Sequence, residues 1–172
     1  MALIKSCRGF NPEFGEDCWL AENATVVGDV QVGKNCSIWF NAVVRGDVNS
    51  IRIGNNVNIQ DGAVIHCTYE KTKVHIGDNV SIGHNALVHG CTIEENVLIG
   101  MGSIVMDNCY ISSNCILAAG AVLLEGTTME SWNVYAGIPA KKVKTLSPEL
   151  FQGEVQRIAK NYALYASWFK ES

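Results

Sequence analysis

The sequence predicts an all-β fold with a C-terminal α-helix, in which short parallel strands wind into a β-helix. Aliphatic residues recur every six positions through the middle of the chain. Residues 24–125 are also rich in Val, Ile, Asn, Gly and Ser, a composition that favours short strands and turns over helices. From residue 147 onwards, apolar residues instead recur at three- and four-residue steps, which is typical of an amphipathic helix.

The six-residue repeat is the main signal for the predicted β-helix. Aliphatic residues at this period form four series: Val32, Ile38, Val44; Ile53, Ile59, Ile65; Ile76, Ile82, Val88; and Ile93, Ile99, Val105, Ile111, Leu117, Leu123. Small residues lie two positions earlier: Cys36, Ala42, Ala63, Ala86, Cys91, Ser103, Cys109, Cys115, Ala121. A period of six suits a strand and a corner, with three such units, about eighteen residues, in each coil. The aliphatic side chains would then fill a narrow core.

The chain of 172 residues is expected to form a single domain. Residues 1–146 are predicted to form the β-helix with a short N-terminal lead-in, and residues 147–172 an α-helix that packs on it. Ser147 is a good N-cap, and Pro148 fits the first helical turn.

Composition argues against several kinds of partner. Charged residues make up 17% of the chain and the formal net charge is −4, so electrostatics give no reason to expect a nucleic acid or an anionic membrane as partner. The N-terminal MALIKSCRGF lacks the apolar core of a signal peptide, and no apolar run is long enough for a membrane span. With no export signal, we interpret the seven cysteines as reduced thiols of a cytoplasmic protein.

Two of the four histidines fall at the same position of the repeat. His66 follows Ile65 and His89 follows Val88, and these aliphatic residues are one full coil apart if the five extra residues after His66 form a loop. The two imidazoles should therefore stack on neighbouring rungs, about 4.8 Å apart. At that separation they could share one metal ion. Arg45 belongs in the same column, one rung away.

The third candidate ligand, His84, occupies a different corner. It lies two residues after Ile82, so it belongs with Gln60 and Asp61 at the preceding corner of the coil. One subunit would not bring His84 onto the same ion as the stacked pair. A cyclic homotrimer would, because one corner of each subunit then meets a different corner of its neighbour. We therefore expect two ligands from one chain, one from the next, and three sites per trimer.

With these residues placed, the chain resembles the γ-class carbonic anhydrases and their bacterial relatives. The matching stretches are RGD (45–47), NIQDGAVIH (58–66), IGHNALVHGC (82–91), YAGIPAKKVK (135–144) and the C-terminal helix. The resemblance implies a left-handed parallel β-helix of hexapeptide repeats, and reversible hydration of CO2 to bicarbonate. It also implies that His66, His84 and His89 bind Zn2+, with Fe2+ or Co2+ as alternatives.

The resemblance implies roles for further residues. Gln60 would orient the reacting water, and Arg45 would form ion pairs with Asp47 and Asp61 at the subunit interface. A tyrosine of the C-terminal helix would approach the site, and Tyr165 matches it better than the other two candidates, which are Tyr135 and Tyr162.

The region expected to carry protons departs from the prototype of the class. Val48 stands where the prototype has Glu, and Glu70 is the only carboxylate in the loop 67–73. We therefore expect slow proton export or direct use of buffer.

Two other functions are compatible with the same repeat. One is an acyl-CoA transferase or thioesterase, because many acyltransferases share the hexapeptide pattern. The other is a non-catalytic metal-binding trimer, which the acid-poor loop favours. The fourth histidine, His75, precedes Ile76 and matches no ligand of the family, so we place it outside the site.

Overall fold

A computed structural model describes residues 1–170 of the chain. The first ten strands are β1 Leu3–Lys5, β2 Glu13–Phe14, β3 Trp19–Leu20, β4 Thr25–Val32, β5 Ser37–Ile38, β6 Val43–Ile53, β7 Asn58–Ile59, β8 Val64–His66, β9 Val74–Ile76 and β10 Ser81–Ile82. The remaining strands are β11 Leu87–His89, β12 Thr92–Ile93, β13 Val97–Ile99, β14 Ile104–Val105, β15 Tyr110–Ile111, β16 Cys115–Leu117, β17 Val122–Leu123, β18 Thr128–Met129, β19 Asn133–Ala136 and β20 Lys141–Thr145. A short α-helix α1 (Pro148–Leu150), a π-helical segment (Phe151–Gln156) and a longer α-helix α2 (Arg157–Lys170) follow.

The strands form three flat faces of a parallel β-helix, which confirms the predicted fold class. The first face runs β4-β6-β8-β11-β14-β17, and the second runs β4-β6-β9-β12-β15-β18. The third runs β3-β5-β7-β10-β13-β16-β19, with β20 added antiparallel at its end. Because β4 and β6 are eight and eleven residues long, each passes around a corner and contributes to two faces.

The repeat aliphatic residues fill the interior, one column for each face. The first column includes Val44, Ile65, Val88 and Val105, all fully buried, and strand pairing places them directly above one another. The small residues two positions earlier are buried as well, so the six-residue period corresponds to one strand and one corner as expected.

Asparagines form many of the corners. Eight of them adopt a left-handed backbone conformation with φ between 55° and 60°: Asn35, Asn41, Asn56, Asn79, Asn85, Asn96, Asn108, Asn114. Asparagine tolerates this conformation better than most residues with a side chain, so it can turn the chain where glycine is absent.

The C-terminal helical region packs across the third face. Ser147 caps the first turn through its hydroxyl, which accepts a hydrogen bond from the Leu150 amide at 3.2 Å. Phe151 and Val155 are buried against Ile116 and Val134 of the third face. Residues 171 and 172 of the predicted helix lie outside the described residues. Between residues 1 and 170, no helix combines the length and apolar character needed to cross a membrane.

Candidate metal centre

Two histidines stack on adjacent strands of the first face. His66 ends β8, His89 ends β11, and strand pairing places them directly opposite each other. Their ring centroids are 5.2 Å apart, and His66 Nδ1 lies 3.2 Å from His89 Nε2. The column predicted from the repeat is therefore present in the structure.

The outer nitrogen of each imidazole contacts a carboxylate. His66 Nε2 lies 3.1 Å from Asp47 Oδ1, and His89 Nδ1 lies 2.6 Å from Asp107 Oδ1. An ionised carboxylate only accepts hydrogen bonds, so these contacts place the N–H on the outer nitrogen of each ring. Carboxylates that hold metal-binding histidines in this way fix both the tautomer and the ring orientation.

The inner nitrogens then fit a metal ion. With both outer nitrogens protonated, the neutral rings direct two lone pairs at each other across 3.2 Å. That arrangement is repulsive unless a proton or a cation lies between them. Two nitrogen ligands of a tetrahedral zinc ion, each about 2.0–2.1 Å from the metal, would be roughly 3.3 Å apart. The donor chemistry and the spacing of His66 and His89 therefore suit a zinc-like ion.

The surroundings of His66 favour the neutral form of its ring. Burial lowers the pKa of His66, and the positive charge of Arg45 lowers it further. Asp47 links the two residues, since it accepts hydrogen bonds from both Arg45 and His66. Burial opposes ionisation of Asp47, but these hydrogen bonds hold the pKa of its carboxyl below the usual value. A neutral imidazole is the form that binds a metal.

His84 belongs to another part of the coil. It follows β10 on the third face, whereas His66 and His89 end strands of the first face. Its Nδ1 lies 3.0 Å from Asp61 Oδ2, so each of the three histidines has a carboxylate partner. The His84 side chain is 40% exposed, which leaves it accessible to another chain.

Gln60 lies beside His84, as the repeat predicts. Its buried side chain accepts a hydrogen bond from the His84 amide at 3.2 Å and donates one to Asn58 Oδ1 at 3.0 Å. Asn58 in turn donates to the Ser81 hydroxyl at 2.7 Å. Within one chain, these contacts hold the corner that carries His84.

The tyrosine hydroxyl in contact with His84 belongs to Tyr162, which we ranked below Tyr165. Tyr162 Oη lies 3.1 Å from His84 Nε2, and burial together with the nearby Asp61 charge raises the Tyr162 pKa to about 12. The Tyr165 ring is the neighbour of Tyr162, with centroids 5.5 Å apart. Tyr135 is buried in β19, and its hydroxyl accepts a hydrogen bond from the Glu130 amide.

Within the described part of one chain, the three candidate histidines do not surround a common point. Among residues 1–170 of one chain, no three His, Cys, Asp or Glu side chains are placed to hold one metal ion. Arg45 pairs with Asp47, and Asp61 pairs with His84, so the interface pairing expected between Arg45 and Asp61 is absent within one chain.

Sequence reasoning missed Asp107 and the two threonines that contact it. Thr68 and Thr72 lie in the loop after His66, and their hydroxyls are 2.6 and 3.4 Å from the Asp107 carboxylate. Asp107 is one position away from the histidine column, so counting by the repeat did not select it. A signal was available, however, because the residue beneath Asp107 on the preceding rung is Gly90, which leaves room for a side chain above it.

The fold and the histidine pair define a hexapeptide-repeat β-helix protein with a candidate metal-binding site. In agreement, the sequence model described as bacterial transferase hexapeptide (six repeats) matches residues 11–46 and 90–125. A solved structure of a hexapeptide transferase family protein from Anaplasma phagocytophilum has a TM-score of 0.92 and 37% identity, and the match covers 97% of this chain and 98% of that one.

The curated relatives narrow this class to one family. The carbonic anhydrase of Geobacillus kaustophilus is 34% identical over 98% of this chain and 91% of its own length. Gamma carbonic anhydrase 2, mitochondrial, of Arabidopsis thaliana is 39% identical over 88% of this chain. The chain spans 56% of the length of that plant protein. The chain therefore belongs to the γ-class carbonic anhydrase-like family.

Proposed function

We propose that the chain catalyses the reversible hydration of CO2 to bicarbonate at a three-histidine metal site between the subunits of a homotrimer. The observation that carries this proposal is the pair of inner nitrogens of His66 and His89, which face each other at 3.2 Å while carboxylates hold the outer nitrogens. His84 of a neighbouring chain would supply the third ligand. When bound, a zinc ion would supply the Lewis acidity that lets water act as a nucleophile near neutral pH.

The chain's own residues would orient the ligands and set their charge. Asp47 orients the His66 ring by accepting a hydrogen bond from the His66 Nε2–H. The Arg45 guanidinium donates to the same carboxylate and favours its ionised form. Asp61 lies 3.0 Å from His84 Nδ1, and a proton on that nitrogen would leave the His84 Nε2 lone pair, which Tyr162 contacts, to bind the ion. Gln60 would help to hold the corner that carries His84. As the family resemblance implies, it would also orient the reacting water. Tyr165 is proposed to line the approach to this corner.

Stopped-flow CO2 hydration measured with zinc-loaded and iron-loaded protein tests the activity. We expect rates well above those of buffer alone. We also expect Ala in place of His66, His84 or His89 to remove both activity and bound metal. A matched control is His75→Ala, because His75 is exposed on β9 of the second face, whereas the proposed ligands follow or end strands of the first and third faces. Metal-loaded protein that hydrates CO2 no faster than buffer contradicts the proposal.

Acyl transfer from CoA is the second candidate, favoured by the hexapeptide transferase description of the family sequence model and of the solved relative. A panel of acyl-CoA thioesters, assayed for free CoA release and for transfer, distinguishes the two functions. Turnover of a thioester without CO2 hydration would favour acyl transfer over CO2 hydration as the function. Tight metal binding with turnover of neither substrate would indicate a non-catalytic metal-binding trimer.

A further inference from the structure

Asp107 lies at the meeting point of the candidate metal centre and the loop 67–73. Its Oδ1 is 2.6 Å from His89 Nδ1, and its Oδ2 accepts a hydrogen bond from the Thr68 hydroxyl at 2.6 Å. The buried Thr72 hydroxyl lies 3.4 Å from Oδ1 and also accepts a hydrogen bond from the Thr68 amide at 2.9 Å. One carboxylate therefore contacts a candidate ligand and both threonines of the loop.

The backbone around Asp107 leaves space for these contacts. Gly90 follows His89 directly and has φ of +51°. A Cβ added at Gly90 would overlap both Asp107 Oδ1 and Thr72 Oγ1. The Asp107 carboxylate thus occupies space that any other residue at position 90 would fill. A side chain in such a confined position has few alternative orientations.

The loop 67–73 begins one residue after the other stacked histidine. His66 and Thr68 are separated only by Cys67, which is buried. The loop therefore leaves the strand that ends at His66. Its Thr68 and Thr72 side chains then contact Asp107, the carboxylate that contacts His89. Ordering of the loop and orientation of His89 depend on the same carboxylate.

We infer that Asp107 is a positioning residue, which holds His89 in the tautomer that directs Nε2 toward His66 and ties the loop 67–73 to the metal centre. This inference rests on the proposed function in one respect, since it assumes that the His66–His89 pair binds metal. The loss of a carboxylate behind a metal-binding histidine typically weakens metal affinity by about 10–100-fold. Weaker hydrogen bonds at Asp107 should also release the loop.

The first test is made on metal-free full-length protein. Long-range 1H–15N NMR correlations identify which imidazole nitrogen carries the proton, at a pH where the rings are neutral. We expect the Nδ1–H tautomer for His89 in the wild type and a shift to Nε2–H in Asp107→Ala, which removes the acceptor. An unchanged tautomer in a folded variant, or an Nε2–H tautomer in the wild type, would overturn the inference.

The second test measures zinc affinity by competition with a chromophoric chelator, and loop protection by hydrogen exchange. We expect Asp107→Ala, which removes the acceptor of the His89 N–H, to weaken zinc binding by about 10–100-fold and to speed amide exchange in residues 67–73. Asp107→Asn removes the charge but keeps an acceptor oxygen, so its loss of affinity should be smaller. Thr68→Val should speed exchange in the loop with a smaller loss of affinity, because the His89 contact stays. The matched control is Asp29→Asn, since Asp29 pairs with Arg52 rather than with a histidine.

The outcomes separate this inference from the proposed function. Wild-type affinity in Asp107→Ala, or an equal loss of affinity in Asp29→Asn and Asp107→Asn, would overturn the positioning role. A wild-type protein that binds neither zinc nor iron would contradict the proposed function. In that case the tautomer of His89 in the metal-free protein still decides whether Asp107 positions it.

Discussion

At the scale of single residues, carboxylates determine what the histidines can do. Asp47, Asp61 and Asp107 each contact one of the three candidate ligands. Burial opposes ionisation of Asp107, but hydrogen bonds from Thr68 and His89 hold its pKa below the usual value. An ionised carboxylate can only accept from an imidazole N–H, so the other ring nitrogen keeps a free lone pair. We therefore attribute the predicted metal affinity to these pairs as much as to the histidines.

Gly90 gives a residue-scale prediction. We expect Gly90→Ala to weaken zinc binding and to lower the free energy of unfolding, because the added Cβ would displace Asp107 and Thr72. The matched control is Gly120→Ala, since Gly120 also has a positive φ, of 67°, but has open space around its Cα. In Gly120→Ala, the free energy of unfolding should fall only by the cost of placing a Cβ in the left-handed backbone conformation, about 1–2 kcal/mol. The zinc affinity of this control should remain that of the wild type. Chelator competition and thermal unfolding measure both quantities, and equal effects in the two variants would contradict the prediction.

Cys18 provides a second residue-scale prediction, away from the metal centre. Its hydrogen bond with Cys36 lowers the pKa of the Cys18 thiol to about 6, and the same contact raises the pKa of Cys36. A thiol with a lowered pKa is mostly thiolate above that pH, and the thiolate is the reactive form. We expect iodoacetamide to modify Cys18 at pH 7 with a rate that falls as the pH drops through about 6. Peptide mass mapping with Cys18→Ser as control tests this, and modification of Cys7 alone would contradict it.

At the scale of elements, the six-residue unit determines where side chains meet. Strands on each face pair in register, so residues at the same position of the repeat stack, as His66 and His89 do. The fold class could be predicted from the six-residue period, and the histidine pair from the same period once the five extra residues after His66 were assigned to a loop. Asp107 and Tyr162 could not be predicted in the same way. Corner side chains do not follow the column, and the position of Tyr162 depends on how α2 docks on a face distant in sequence.

The stacked core gives an element-scale prediction. Ile99 is fully buried in the column of the third face, and it pairs with Ile82 on one side and Leu117 on the other. We expect Ile99→Ala to lower the free energy of unfolding by about 2–5 kcal/mol, because it leaves a cavity between two rungs. Val143→Ala is the control, since Val143 is exposed on β20 and should change stability by about 0.5 kcal/mol at most. Chemical denaturation measures the free energy of unfolding of both variants. A decrease in Ile99→Ala no larger than that in Val143→Ala would contradict the packing of Ile99 in a buried column.

At the scale of the whole molecule, the candidate site is divided between two corners. His66 and His89 lie at the end of the first face, whereas His84 lies after the third face. A cyclic assembly in which one corner of each chain meets a different corner of the next would bring them together without any change in fold. In the proposed trimer, each chain therefore contributes ligands to two different sites.

The most direct test is metal complementation between two variants that each lack part of the site. His84→Ala keeps the stacked pair, and the double variant His66→Ala/His89→Ala keeps His84. Each protein is purified alone and after co-expression with the other, and metal per trimer is measured by native mass spectrometry and elemental analysis. We predict no bound metal in either variant alone and recovery of metal in the mixed trimers. Full metal content in His84→Ala alone, or no recovery in mixed trimers, would contradict a site shared between chains.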